Sequence, residues 1–289
     1  MPSSWLELSL RTDPSSLDAV SNFLIERGSP GVVIKKNEVR AYFSHPKDSA
    51  AVRKDVQRFL SGIRRVGAEV AKEHLKWRIL KDRNWNSAWQ KFFRPQRVGQ
   101  QFLINPPWIK PPGLGRRHLI TIEPGLAFGT GTHATTRGCI EYIEQAVASF
   151  HGAEFVALDV GTGSGILSIA LAKLGAKRVW ALDNDPVALK VARANLHCND
   201  VQTRVRLSGT NLSHVRKSFP LVVANLTAET ILDLASALEK RVAPKGFLIL
   251  SGILKSKLNG IVRHFAANGF SVVRRRTEKE WATLLFRRK

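Results

Sequence analysis

Two cysteines in 289 residues, Cys139 and Cys198, leave no material for a disulfide framework. They form no CxxC pair and no ligand cluster, so no metal site is expected, and this sparse usage fits a reducing compartment. Long apolar runs are missing too: nothing approaches the roughly 20 residues that span a bilayer. The opening Met1-Pro2-Ser3-Ser4-Trp5 has no basic-then-apolar secretion signal. The expectation is a cytoplasmic protein with no membrane association. The third shortage is of negative charge. Asp and Glu number 23 against 45 Lys and Arg, a formal net charge of +22. Such a field draws polyanions, RNA or a ribonucleoprotein particle among them, although no single arginine-rich tract dominates and a merely solvated basic surface is the plainer alternative.

What is present is a globular composition, 44% hydrophobic and 24% charged, on a chain long enough for one large or two ordinary domains. The first stretch reads β-α-β-β-α-β, the order of a small ferredoxin-like α+β domain. Its elements are a strand from Trp5 to Arg11, a helix opened by Asp13-Pro14 and closed at Gly28, a hairpin from Gly31 to Ser44 turning at Lys36-Asn37, a helix from Lys47 to Leu60, and a last strand from Arg65 to Leu75. Trp85, Trp89, Phe92 and Phe93 then fall at helical spacing. That aromatic stripe predicts a packed linker helix rather than a ligand box. The expected division is 1–78 for the first domain, 79–95 for the linker and 96–289 for the second domain.

From Val156 onward, short apolar strands alternate with helices: strands at Val156–Val160, Arg178–Leu182, Leu221–Ala224 and Phe247–Leu250, helices at Ile166–Leu174, Pro186–Asn195 and Glu229–Leu238. This is the pattern of an α/β, doubly wound, mostly parallel sheet, with Phe270–Arg276 and Trp281–Phe286 as an antiparallel hairpin at its edge.

The chemistry-bearing motifs sit on that sheet. Asp159-Val160-Gly161-Thr162-Gly163-Ser164-Gly165 follows a strand and opens a helix, so its glycines let the backbone approach a ligand closely. The spacing is G-x-G-x-G, not the G-x-G-x-x-G of a dinucleotide site. Asp183 ends the next strand, where a carboxylate meets ribose hydroxyls, while Asp185-Pro186 reads as a helix N-cap and first helical residue. Asn225 ends the strand Leu221–Ala224; there an amide can accept a hydrogen bond from an amine and aim its lone pair, or merely cap the strand. The loop Pro124 to Thr136, with three glycines and then hydroxyls, suits a lid beside a cofactor carboxylate. Thr135 or Thr136 could instead cap the following helix, and His133 is either a base or structural. Asn105-Pro106-Pro107-Trp108 matches the motif with which nucleic-acid amino-methyltransferases hold a flipped base, but its Pro-rich setting favours a rigid loop.

Together these segments resemble the PrmA family, the methyltransferases of ribosomal protein L11. The resemblance runs nearly end to end: Trp85-x-x-x-Trp89, Pro124 to Thr136, Asp159 to Gly175, Leu182 to Pro186, Val222 to Leu226, Ser251-Gly252-Ile253-Leu254 and Glu280-Trp281. It implies a seven-stranded Rossmann-like catalytic domain behind an N-terminal substrate-recognition domain, with S-adenosyl-L-methionine as cofactor. Carried over, the cofactor contacts fall on Thr136, Gly161, Asp183 and Asn225, joined from the residue reading by Asp159, Gly163 and Phe128, with Asn225 also catalytic. The implied substrate is a large-subunit ribosomal protein methylated on lysine side chains and its N-terminal amine by a monomeric enzyme. Three other readings remain: a nucleic-acid amino-methyltransferase, a lysine methyltransferase with a non-ribosomal substrate, and a non-catalytic ribosome-binding module.

Overall fold

The computed structural model describes residues 4–44, 49–65, 75–81, 94–123 and 133–289. The chain divides into two compact units, Met1–Phe93 and Arg94–Lys289.

In the first unit, strands β1 (Ser4–Arg11), β2 (Val32–Lys35), β3 (Glu38–Ser44) and β4 (Lys76–Lys81) form an antiparallel sheet of order β2-β3-β1-β4. Helices α1 (Leu17–Glu26) and α2 (Ser49–Arg65) supply the other half of the core. The alternation of β1 puts Leu6, Leu8 and Leu10 on one face, buried with Val39, Ala41 and Phe43 against Val20, Leu24, Val56 and Leu60 of the helices. Asp13 accepts a hydrogen bond from the Ser16 amide and starts the first helical turn.

Most of the expected strand from Arg65 to Leu75 lies outside the described residues, and its first residue, Arg65, belongs to α2 instead. Apolar residues at Val52, Val56, Phe59, Leu60 and Ile63 keep helical spacing beyond Leu60, and α2 continues to Arg65. The last strand is β4, whose Trp77 and Ile79 stand opposite Leu8 and Leu6. It runs to Lys81, three residues past the expected boundary at 78, so the linker cannot begin as helix at 79. The aromatic stripe from Trp85 to Phe93 lies outside the described residues.

The second unit holds a seven-stranded sheet: β8 (Val156–Val160), β9 (Arg178–Leu182), β10 (Val205–Ser208), β11 (Phe219–Asn225), β12 (Val242–Leu254), β13 (Phe270–Glu278) and β14 (Trp281–Arg288), in the order β10-β9-β8-β11-β12-β14-β13. The first five strands of that order are mutually parallel, and β14 inserts antiparallel between β12 and β13. The parallel strands read as continuous apolar runs because both faces are covered. Ala157, Val179, Val223 and Ile249 pack on one side; Leu158, Leu182, Val222 and Leu248 pack on the other. Helices α3 (Ala134–Ala148), α4 (Ile166–Lys173), α5 (Pro186–Cys198), α6 (Ala228–Asp233), α7 (Ala235–Arg241) and α8 (Leu258–Ala267) connect them. The segment expected as one helix, Glu229–Leu238, is thus two. No described helix is long and apolar enough to cross a membrane.

A three-stranded sheet of β5 (Gln96–Val98), β6 (Phe102–Asn105) and β7 (His118–Thr121) precedes this core and has no counterpart in the sequence reading. The α5 cap residue Asn199 staples it down. The Asn199 amide accepts from the Thr121 amide at 2.8 Å and donates to the Thr121 carbonyl at 2.6 Å and the Asn195 carbonyl at 2.8 Å. Asn199→Ala leaves both backbone groups of Thr121 without their partner and is expected to cost about 2–4 kcal/mol. Urea denaturation checks this; a loss under about 1 kcal/mol contradicts the staple.

Candidate functional site

Strand order reverses between β8 and β11, since the chain runs from β8 outward through β9 to β10, then returns to β11 and β12. Ligands of open α/β sheets bind beyond the carboxyl ends of strands at such a switch point. Asp159, Asp183, Asn225 and Ser251 all stand at or beside those ends.

The glycine loop between β8 and α4 has Gly161, Gly163 and Gly165 at φ of +72°, +55° and +82°, a conformation that L side chains resist. The amides of Gly161 and Thr162 both donate to the Leu182 carbonyl at 2.9 Å, tying the loop to the end of β9. From the other side, Asn195 of α5 donates to the Ser164 carbonyl at 2.8 Å. Asp159 is fully buried beneath this loop, and its Oδ2 accepts the hydroxyls of Thr162 and Ser168, each at 2.7 Å. Burial pushes its pKa up to about 6, with the two hydroxyls pulling the other way. Asp159 therefore acts on the loop itself.

A raised carboxyl pKa means that the folded state holds its proton more tightly than the unfolded chain does. The stability this contributes is complete below the ordinary value of 3.8 and is lost as pH rises through about 6. Asp159→Asn removes that titration. Between pH 4 and pH 7.5 the stability of the wild type relative to this variant is expected to fall by on the order of 3 kcal/mol. Parallel stability–pH curves for the two proteins would contradict the assignment.

Asp183 receives the Gly163 amide on Oδ2 at 2.8 Å and the Asp185 amide on Oδ1 at 3.0 Å. Two amides orient the carboxylate and leave acceptor capacity on each oxygen. Asp185 caps α5 by accepting the Val187 amide at 2.8 Å, with Pro186 as first helical residue, as the sequence suggests.

Among the described residues, four buried polar atoms near strand ends have no hydrogen-bond partner: Asn105 Oδ1 at the end of β6, Asp159 Oδ1 beneath the glycine loop and, at the switch point, Asn225 Oδ1 and Thr136 Oγ1. A buried acceptor and a buried hydroxyl are costly to keep without partners. The cap of α3 is not a threonine. His133 takes that place, its Nδ1 2.8 Å from Thr135 Oγ1, and its ring meets Trp281 edge-on. Burial lowers the His133 pKa, which suits a neutral, accepting Nδ1. Thr136 stands inside the first turn with no backbone role for its hydroxyl. Phe128 and the Pro124–Thr132 part of the glycine-rich loop lie outside the described residues.

The sequence reading missed the support under this site. Ser251, fully buried and directly opposite Asn225 in the β11–β12 register, lies 2.7 Å from Thr283 Oγ1 and donates toward the Thr135 and Ala282 carbonyls at 3.3 Å. The Leu226 amide in turn donates to the Ser251 carbonyl at 3.0 Å. Gly252 follows at φ +81°, and a Cβ there would strike the Leu226 backbone, with the carbonyl carbon at 2.8 Å. The sequence signals for this node were the Ser251-Gly252-Ile253-Leu254 run of the family resemblance and its Ser-Gly pair, which interrupts an otherwise apolar strand. Thr162 and Ser168 were likewise visible only as hydroxyls in buried surroundings.

Asn105 is the rigid-loop residue. It is buried, and its Nδ2 donates to the carbonyls of Pro106 at 2.8 Å and Ile109 at 2.6 Å, so both amide hydrogens close the turn.

A family model described as ribosomal protein L11 methyltransferase (PrmA) matches residues 4–289. A ribosomal protein L11 methyltransferase of Geotalea uraniireducens is 34% identical over 314 residues, covering 99% of each chain. That of Thermoanaerobacter pseudethanolicus is 31% identical over 311 residues, again 99% of each. The crystal structure of a ribosomal protein L11 methylase from Lactobacillus delbrueckii subsp. bulgaricus superposes with a TM-score of 0.63 at 34% identity, covering 68% of this chain and all of the other.

Proposed function

Since the chain belongs to the ribosomal protein L11 methyltransferase family, we propose that it transfers methyl groups from S-adenosyl-L-methionine to lysine side chains and the N-terminal amine of that ribosomal protein. The observation carrying this is that Asn225 Oδ1 and Thr136 Oγ1, two of the buried polar atoms with no partner among the described residues, lie beside the switch point of a seven-stranded sheet. In this reading Asn225 Oδ1 accepts from the entering amine, and the Thr136 hydroxyl meets the cofactor.

The cofactor supplies a methyl group on a positively charged sulfur. In this reading the Asp183 carboxylate holds its ribose hydroxyls, and the positive-φ backbone of Gly161 and Gly163 lets it lie close to the loop. Asp159 works through Thr162 and Ser168 to fix that loop. The Asn225 amide accepts one N–H of the incoming amine, which fixes the lone pair toward the methyl group. The amine must arrive neutral: at pH 7 deprotonation costs about 4.6 kcal/mol for lysine and about 1 kcal/mol for an α-amine. Desolvation at the buried strand ends favours the neutral amine, as does the neighbouring positive sulfur.

Peptide mapping of the methylated product tests the amine assignment. Modification at lysines and the N-terminus is expected; modification confined to arginine, histidine or carboxylates refutes it. The domain roles follow the same reading, with the first unit recognising substrate and the second carrying the chemistry, in a monomeric cytoplasmic enzyme. The nucleic-acid alternative is the less favoured reading, because both hydrogens of the Asn105 side-chain amide bond carbonyls of its own turn and only its Oδ1 is left without a partner among the described residues.

A further inference from the structure

The helices of the first unit cover one face of its sheet; the other face carries residues that methyl transfer does not use. Cross-strand register places Tyr42, Glu7 and Arg78 in one row, Val33, Arg40, Ser9 and Lys76 in the next, and Lys35, Glu38 and Arg11 in a third. Trp5 lies diagonal to Tyr42, since it pairs with Ser44 while Tyr42 pairs with Glu7. Diagonal neighbours of this kind are about 7–8 Å apart. Five cations therefore share the face with two carboxylates, and Arg11, Lys35, Arg40, Lys76 and Arg78 are all exposed.

The carboxylates are both engaged. Glu38 pairs with Arg40 at 2.8 Å, and Glu7, opposite Arg78, bonds the Tyr42 hydroxyl; burial and that carboxylate push the Tyr42 pKa up to about 12. The Tyr42 ring is thus anchored by its tip. A four-stranded β-α-β-β-α-β sheet with aromatics on its central strands and basic residues around them is how RNA-recognition modules stack unpaired bases and hold the backbone.

We propose that this face binds single-stranded RNA, with two successive bases on Tyr42 and Trp5 and phosphates on the surrounding cations. RNA, not DNA, is the choice because a ribosomal protein substrate brings the enzyme to ribosomal RNA; that clause rests on the proposed function, while the binding itself does not.

Fluorescence anisotropy with a labelled single-stranded RNA oligonucleotide and the full chain tests it, with a DNA of the same sequence alongside. Lys76→Gln/Arg78→Gln is expected to weaken RNA binding about tenfold and to lower the salt slope by about 1.4, from two lost phosphate contacts. Tyr42→Leu is expected to weaken it between about 5- and 150-fold. Circular dichroism confirms folding of each, and Lys76→Gln/Arg78→Gln, a change of exposed side chains only, stands in if Tyr42→Leu does not fold. Unchanged affinity in the charge variant, no RNA binding by the wild type, or tighter binding of DNA overturns the proposal. So does a loss of protein methylation in these variants with RNA affinity intact, which would make the face a protein-docking surface. Absent protein methylation in the wild type, with RNA binding as described, would defeat the proposed function instead.

Discussion

Gly252→Ala is expected to lower stability by about 2–5 kcal/mol and to abolish detectable methyl transfer. The residue holds φ +81°, where an alanine costs about 1–2 kcal/mol before any contact is considered. The added methyl then meets the Leu226 carbonyl, which is backbone and cannot rotate away as a side chain could. Relief requires moving the Leu226-Thr227 peptide, one residue beyond the proposed catalytic amide. Overpacking of this kind typically adds another 1–3 kcal/mol. Gly260→Ala is the matched control eight residues on. It lies within helix α8 with nothing near its would-be Cβ, and is expected to stabilise by up to about 1 kcal/mol. Thermal unfolding of both variants checks the pair; equal melting temperatures would contradict the account of the Ser251-Gly252 node.

Asn225→Ala separates function from stability in the opposite way. Its Oδ1 is buried with no partner among the described residues, so removing it relieves an unsatisfied acceptor and is expected to change stability by less than about 1 kcal/mol. The turnover number is expected to fall by about 10²–10³, the range for losing one preorganised polar group at a reacting centre. Cofactor affinity should fall by less than tenfold. Asp183→Ala should show the reverse weighting, because the carboxylate is placed for ribose and not for the amine. Single-turnover kinetics with calorimetric titration of S-adenosylhomocysteine distinguishes them.

Much of the second unit was legible because its strands are short apolar runs punctuated by glycine and Asp-Pro. β9 was bounded to the residue, and the glycine loop, Asp183 and Asn225 were placed at the strand ends where they stand. The Ser251–Thr283–Thr135 node was not legible, since it joins residues more than 100 positions apart and depends on the register of β12 against β11 and β14. The α3 cap went to His133, whose ring accepts from the Thr135 amide and meets Trp281 edge-on, a long-range contact that the local sequence does not show. The sheet of β5 to β7 escaped notice because its strands are three or four residues long.

The excess positive charge was the least legible feature. Part of it is intramolecular. Arg204 donates to the Ala172 carbonyl near the end of α4, Lys173 to the Asn199 carbonyl after α5, and Arg288 to the Glu239 and Val242 carbonyls around the end of α7. Cations at helix carboxyl ends satisfy orphan carbonyls and oppose the helix dipole. Others join α3 to β13, where Arg137 and Arg276 pair with Glu278 and Arg276 with Glu141. A net charge therefore says less about partners than its sum suggests, and the sheet face of the first unit opposite its helices must be judged on its own residues.

The central claim is methyl transfer to a protein amine aimed by Asn225. Its most direct test is incubation of the wild type and Asn225→Ala with labelled S-adenosylmethionine, purified large-subunit ribosomal proteins and, separately, ribosomal RNA. Label on ribosomal protein L11, lost by at least 100-fold in the folded variant, is the predicted result; label on RNA alone, or equal labelling of the protein by both enzymes, would contradict it.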